Sequence, residues 1–244
     1  MIKLIYCIRR KPGLSLAEFQ QHWLEHHSGL VERVKIVRRY VQLHTLADDP
    51  IREAMAQAGA SGLDTFDGVA VLWLDSLEAL RAAIDRDPAV AAALDDERFF
   101  IDGSRSTACI ADEHVVVEPV PPGNVVLVEC LRRRSDIDRP TFSERWIHHQ
   151  HIGKRAHSEL GLLMGYIQNH TLVGDAGRAP GVGSAEEPFD GIVHAFFHSI
   201  ATFKALVGHP LAYQESFNDE KNFIDHSRSV DLLTRRHVIK DLIR

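Results

Sequence analysis

The chain repeats itself. Cys7, Phe19 and Trp23 return as Cys130, Phe142 and Trp146, each 123 positions later. Tyr40-Val41-Gln42-Leu43-His44-Thr45-Leu46 returns as Tyr166-Ile167-Gln168-Asn169-His170-Thr171-Leu172, and Phe66-Asp67-Gly68 as Phe189-Asp190-Gly191. Phe100-Ile101-Asp102-Gly103-Ser104-Arg105-Ser106 matches Phe223-Ile224-Asp225-His226-Ser227-Arg228-Ser229. Ordered matches at nearly one offset mean an internal duplication. The fold is therefore read for a unit of half the length, and then for how two such units pack.

Each half gives the same pattern. Ile2 to Arg9 is apolar and β-branched enough for a strand, and Pro12-Gly13 makes a turn. Ser15 with Glu18 three residues on forms a capping box, which starts a helix carrying Phe19, Trp23 and His27 on neighbouring turns. Gly29 is expected to end that helix. Arg39–Leu46 reads as a second strand, and a polar stretch through Pro50 and Gly62 leads to a third strand over Val69–Leu74. Ser76 caps another helix, a segment led by Pro88 follows, and Thr107–Val117 supplies the last strand. The order β-α-β-β-α-β is the split βαβ unit of ferredoxin-like folds. Such a sheet has one face bare of helices, and two copies can cover each other there. The expected fold class is α+β, with two tandem ferredoxin-like halves, residues 1–117 and 125–244, forming a pseudo-twofold α+β barrel. The linker is 118–124, where Pro119, Pro121, Pro122 and Gly123 cluster.

The formal charge of −6 argues against a nucleic-acid partner, since phosphate binding needs a clustered basic face. Arg9-Arg10-Lys11 and Arg132-Arg133-Arg134 sit at equivalent strand ends and read as solvated. No apolar segment has the length of a membrane span, and the N-terminus lacks a signal-peptide pattern. Three cysteines make neither a disulfide framework nor a metal-ligand spacing, so a cytoplasmic location is expected.

Leu4-Ile5-Tyr6-Cys7-Ile8-Arg9-Arg10-Lys11-Pro12-Gly13-Leu14-Ser15, then Phe19-x-x-x-Trp23-x-x-x-His27, then Arg39-Tyr40-Val41-Gln42 resemble EthD-type domains, once per half. The resemblance implies the dimeric α+β barrel superfamily, here fused in tandem. It also implies catabolic or polyketide-pathway chemistry such as cyclisation, dehydration, decarboxylation or oxygenation, with haem binding elsewhere in the superfamily. The second half departs from the pattern: Gln150 stands where His27 does, flanked by His149 and His151.

The 15 histidines divide unevenly, five before the linker and ten after it. A cluster of imidazoles in a pocket suits acid–base work near neutral pH. Tyr40, Gln42 and His44 alternate along one strand, as do Tyr166, Gln168 and His170, so each triplet shares one face. Each triplet either hydrogen-bonds across the pseudo-twofold or lines a pocket. The second half carries His194 and Glu129 where the first has Val71 and Tyr6, which suggests an acid–base pair and a more reactive second half. The expected catalytic set is His170, His194, Tyr166, His149, His151, Glu129, His44, Tyr40 and His27. Trp23, Trp146, Trp73, Phe196 and Tyr6 are expected to line a pocket for a small apolar or aromatic substrate. His148-His149-Gln150-His151 lacks the directionality of a metal motif, so neither metal nor organic cofactor is expected. The leading function is cofactor-independent proton transfer. The alternatives are a haem- or oxygen-using oxidoreductase and a non-catalytic ligand-binding protein. A homodimer is left open. The Gly-rich segment Gly174–Gly183 reads as a connection able to cover a pocket.

Overall fold

The computed structural model describes residues 1–51, 65–121, 123–182 and 187–243. Gly62, Pro122 and Gly183, named above, lie outside the described residues.

In the first half, β1 (Ile2–Ile8) leads to α1 (Leu16–His22), a π-helical turn (Trp23–His27) and α2 (Ser28–Glu32). Then come β2 (Val37–Thr45), β3 (Gly68–Leu74), α3 (Leu77–Arg86), α4 (Pro88–Phe100) and β4 (Thr107–Val117). The second half follows with β5 (Val125–Leu131), α5 (Arg139–Ser158), β6 (Gly165–Thr171) and β7 (Gly191–Phe197). It ends with α6 (Ile200–Val207), α7 (Pro210–Glu220) and β8 (Val230–Asp241). The capping box forms: the Glu18 amide donates to Ser15 Oγ at 3.2 Å, and the Ser15 amide donates to Glu18 Oε2 at 2.8 Å. Gly29 does not end the first helix. The chain passes through the π-helical turn and continues helical to Glu32.

The eight strands close into one barrel in the order β1-β3-β2-β8-β5-β7-β6-β4. The halves are joined by antiparallel ladders β2–β8 and β4–β6, so neither sheet keeps an open edge. Stepping four places round this order carries β1 to β5, β3 to β7, β2 to β6 and β4 to β8. The pseudo-twofold therefore runs along the barrel axis, and equivalent residues sit at equal height. Cys7 and Cys130, equivalent in the repeat, meet there with their sulfurs 3.6 Å apart.

Strand alternation divides the core into three. The lumen packs Ile5, Val41, Val71, Val128, Ile192 and Leu232, among others. One end of it is plugged by Phe66 and Phe189, edge to face at 6.0 Å, with Arg9 and Arg132 over their rings. The outer face of each sheet packs against its own helices, around Phe19, Trp23 and Phe100 in the first half and Phe142, Trp146 and Phe223 in the second.

The Phe-Asp-Gly repeat has a physical reason in each of its residues. Phe plugs the lumen, and Asp67 and Asp190 accept from the Arg10 and Arg133 amides at 2.7 and 3.0 Å. Glycine lets the tryptophan lie on the strand: a Cβ on Gly68 would stand 2.4 Å from the Trp23 ring, and one on Gly191 2.2 Å from Trp146. No helix among the described residues is long and apolar enough to cross a membrane.

Candidate functional site

The triplets on β2 and β6 face the helices rather than each other. Tyr40 Oη accepts from Trp23 Nε1 at 2.9 Å and from Gln42 Nε2 at 3.0 Å. Gln42 Nε2 also donates to the Trp23 carbonyl at 2.9 Å, and Gln42 Oε1 lies 2.8 Å from His44 Nε2. The His44 ring stacks on Trp23 at 4.7 Å. The second half repeats the lock. Gln168 Nε2 donates to the Trp146 carbonyl at 2.8 Å, and His170 packs against Trp146 with Ser143 Oγ 2.9 Å from its Nδ1. Burial, with His237 beside one and His114 beside the other, pushes His44 down to about 3 and His170 down to about 4. Both are neutral near pH 7, and each ties its strand to its helix.

Between the first sheet and its helices lies an apolar cavity of about 100 Å³, lined by Leu4, Val31, Val34, Leu72, Val90 and Ala93 among others. Its chemistry-bearing lining is Tyr6, Trp23, His27, Tyr40 and Glu97. Pro180 and Val182 of the second half's Gly-rich segment also line it, so this segment covers the other half's cavity. His44 does not line it.

Four features set the electrostatics of the cavity. His27 is buried, and its Nδ1 stands 2.9 Å from Asp96 Oδ2. A carboxylate only accepts, so the imidazole proton sits on Nδ1 and the lone pair of neutral His27 is on Nε2. Burial lowers the pKa of His27, which Asp96 partly offsets. Glu97 is half-buried, and burial together with the Asp96 charge pushes it up to about 8. Tyr40 already accepts two hydrogen bonds, so its own O–H is free to donate, and burial holds it protonated by raising its pKa.

The second half differs at matching places. His149, not Gln150, is the counterpart of His27: its Nδ1 lies 2.8 Å from Asp219 Oδ2. The π-helical turn puts one more residue between Trp23 and His27 than the regular helix puts between Trp146 and His149. Gln150 instead donates to Gln168 Oε1 at 3.0 Å. Glu129 replaces Tyr6, and its cross-strand neighbour Asp231 replaces Ala108. Burial, then Asp231 and Glu220, raise the pKa of Glu129, and burial, then Glu220 and Asp49, raise that of Asp231 to about 7.

Other expected residues lie apart. Glu129 and His194 do not form a pair: Glu129 faces the helices, while His194 alternates with Ile192 and Phe196 into the lumen. His151 is exposed, 2.7 Å from the His148 carbonyl. Trp73 and Phe196 belong to the lumen, away from the helix-side cavity. Tyr166 is buried with Trp146 on the second half's helix side. Asp96 and Glu97 were missing from the expected set, although the pair recurs as Asp219-Glu220 at the repeat offset.

His22 Nε2, 3.0 Å from Asp96 Oδ1, joins His26 and Asp96 in a cluster with ligand atoms within 4.8 Å of one another, close enough to share a metal ion. Both oxygens of Asp96 already accept from imidazoles. A haem does not fit either helix-side space. The first-half cavity approaches the ~150 Å³ that holds a single benzene, and the second half carries Glu129 and Asp231 where a macrocycle would need an apolar floor.

Solved structures share this fold at low identity. An anthrone oxidase-like protein aligns over 99% of this chain and 94% of its own, with a TM-score of 0.64 and 10% identity. A protein proposed to be a monooxygenase, from Lactobacillus acidophilus NCFM, covers 99% and 96% with a TM-score of 0.57 and 9% identity. A mutant chlorite dismutase from Candidatus Nitrospira defluvii covers 98% and 91% with a TM-score of 0.53 and 11% identity. No curated protein matches the sequence. The EthD domain model matches twice, over residues 11–104 and 134–227, and the chain belongs to the EthD domain family, as a tandem pair.

Proposed function

We propose that the protein is an enzyme that moves a proton on a small, largely apolar molecule, no larger than a single ring, in the first-half cavity. The observation that carries this reading is the His27–Asp96 bond, which leaves the Nε2 lone pair for an apolar cavity. Neutral His27 takes a proton from carbon next to a carbonyl, and the C–H electron pair becomes the enolate. The Tyr40 O–H donates to the developing oxyanion. Glu97, protonated at neutral pH, supplies a proton to another carbon in an isomerisation, or to a departing hydroxide in a dehydration. The protonated His27 then returns its proton to the Glu97 carboxylate, directly or through solvent, which restores both groups. No electrons leave the substrate, so no oxidant enters. Decarboxylation and cyclisation draw on the same enolate. The weight thus moves from the second half, which the sequence favoured, to the first. The second half supplies the cover. Three free, buried thiols, Cys7, Cys109 and Cys130, are in keeping with a cytoplasmic location.

The test is hydrogen–deuterium exchange at the α-carbon of enolisable cyclic and aromatic ketones, followed by NMR. Wild type is expected to catalyse exchange, and His27→Gln to lose it with folding intact by circular dichroism. Exchange that persists in both His27→Gln and Glu97→Gln would sink the assignment. Saturable binding without exchange would favour the ligand-binding reading.

A further inference from the structure

Opposite the Phe66–Phe189 plug, the lumen turns polar, and there the pseudo-symmetry breaks. Equal height on the axis puts Glu113 opposite Arg236, Trp73 opposite Phe196, and Val71 opposite His194. The first half adds Lys3 and Arg39. Lys3 Nζ bonds Glu113 at 2.6 Å and lies 4.5 Å from the centre of the Trp73 ring. Trp73 Nε1 donates to the other Glu113 oxygen at 2.8 Å. The Arg39 guanidinium stands over the same ring at 5.2 Å and reaches Asp241 at 2.7 Å.

Two carboxylates are thus matched to two of three cations. Among the described residues the Arg236 guanidinium has neither hydrogen bond nor ion pair; it rests over the Phe196 ring at 5.8 Å. Arg39 Nε is buried with no partner among the described residues. His194 is 2% exposed, and its Nε2 is likewise buried and unpartnered. Arg39 Nε and His194 Nε2 thus lack the hydrogen bonds that would offset their burial, while the Arg236 guanidinium is half-buried beside them. One mouth of one barrel therefore collects an unpaired guanidinium, an unpaired guanidinium N–H and an unpaired imidazole nitrogen.

We propose that this mouth is a binding site for a small oxyanion, held by Arg236, Arg39 Nε and His194. Each of the three groups can donate a hydrogen bond, and an oxyanion accepts from all of them while supplying the missing negative charge. The Lys3–Glu113 pair and the indole form one wall and are already satisfied. Electrostatics agree: burial and the charges of Lys3 and Arg236 push His194 far down, burial and Arg39 lower Arg236, and burial with Arg39 helps bring Lys3 down to about 8. An anion between these groups relieves all three at once. The site is on the opposite face of the sheet from the His27 cavity and does not depend on the chemistry proposed there.

The experiment is calorimetric titration of the full chain with sodium sulfate and, separately, sodium acetate, against chloride at constant ionic strength. One saturable site is expected, and whichever anion binds more tightly reports whether the geometry suits a tetrahedral or a carboxylate oxyanion. Arg236→Met should weaken binding by about tenfold or more. His194→Val should weaken it severalfold, valine being the residue the first half carries at that height. Should either variant misfold, ¹⁵N NMR of the wild-type histidines serves instead: a His194 signal that saturates with the anion supports the site. No saturable binding, binding unchanged by both variants, or a His194 signal silent to the anion would overturn it.

Discussion

Glu97→Gln offers a measurement that needs no substrate. The carboxyl of Glu97 is pushed from 4.5 up to about 8, by burial first and by the Asp96 charge second. Below about pH 4.5 the group is protonated in both the folded and unfolded chain, and its acid form costs nothing extra. Between there and about pH 8 the unfolded chain ionises and the folded chain does not, so wild type loses about 1.4 kcal/mol of stability per pH unit. Above about pH 8 both forms are ionised and the penalty stays level. The full difference is about 5 kcal/mol, and screening at the edge of the cavity brings the expected value to about 2–5 kcal/mol. Glutamine has nearly the same shape and cannot ionise. The stability gained by Glu97→Gln should therefore be near zero at about pH 4.5, rise through neutrality and level off above about pH 8. Urea denaturation of both proteins across this range measures the gap directly, because every other titrating group cancels in the difference. A gap that does not change with pH would mean that Glu97 titrates as an ordinary surface carboxylate. The general-acid role would fall with it.

Two further perturbations follow from the geometry. Gly191→Ala puts a methyl group 2.2 Å from the Trp146 ring and should cost about 1–3 kcal/mol. Gly29→Ala, with nothing within 4 Å, should gain about 0.5–1 kcal/mol by helix propensity. Thermal melts check both, and equal effects would refute the close-approach argument. Asp96→Asn removes the charge that raises His27, so the His27 pKa should fall further and its Nδ1–H tautomer loosen, read by ¹⁵N NMR. Loss of orientation should lower kcat/KM by about 10²–10⁴ with KM little changed.

The duplication, the strand order, the helix caps and the barrel were legible because each rests on local chemistry repeated twice. Ser76 and its repeat Ser199 each cap a helix, and Phe-Asp-Gly marks a plug, an anchor and a close approach. What escaped was register across elements. Alignment put Gln150 against His27, but a π-helical turn inserts one residue after Trp23, and only its carbonyl pattern reveals that. Glu129 and His194 were paired on the strength of one asymmetry. Alternation is readable within a strand, whereas the face two strands share depends on their pairing, here Glu129 with Val193 and Val128 with His194. The recurrence of Asp96-Glu97 as Asp219-Glu220 was in plain view and would have named both carboxylates.

A tandem barrel explains how the halves could diverge so far at matching positions. The β2–β8 and β4–β6 ladders run between halves, and lumen side chains from both halves share one core, so stability belongs to the barrel as a whole. The burial cost of Glu129 beside Asp231, which an isolated half would have to meet alone, is spread over that common scaffold. The cavity shows the same sharing in the other direction, since its lid residues Pro180 and Val182 come from the half that does not contain it. In a dimer of identical chains every change appears twice. Fusion lets Tyr6 stay a phenol while Glu129 becomes an acid, and lets Glu113 face Arg236 at one height on the axis. Both the cavity and the charged mouth depend on asymmetries that a true twofold would forbid.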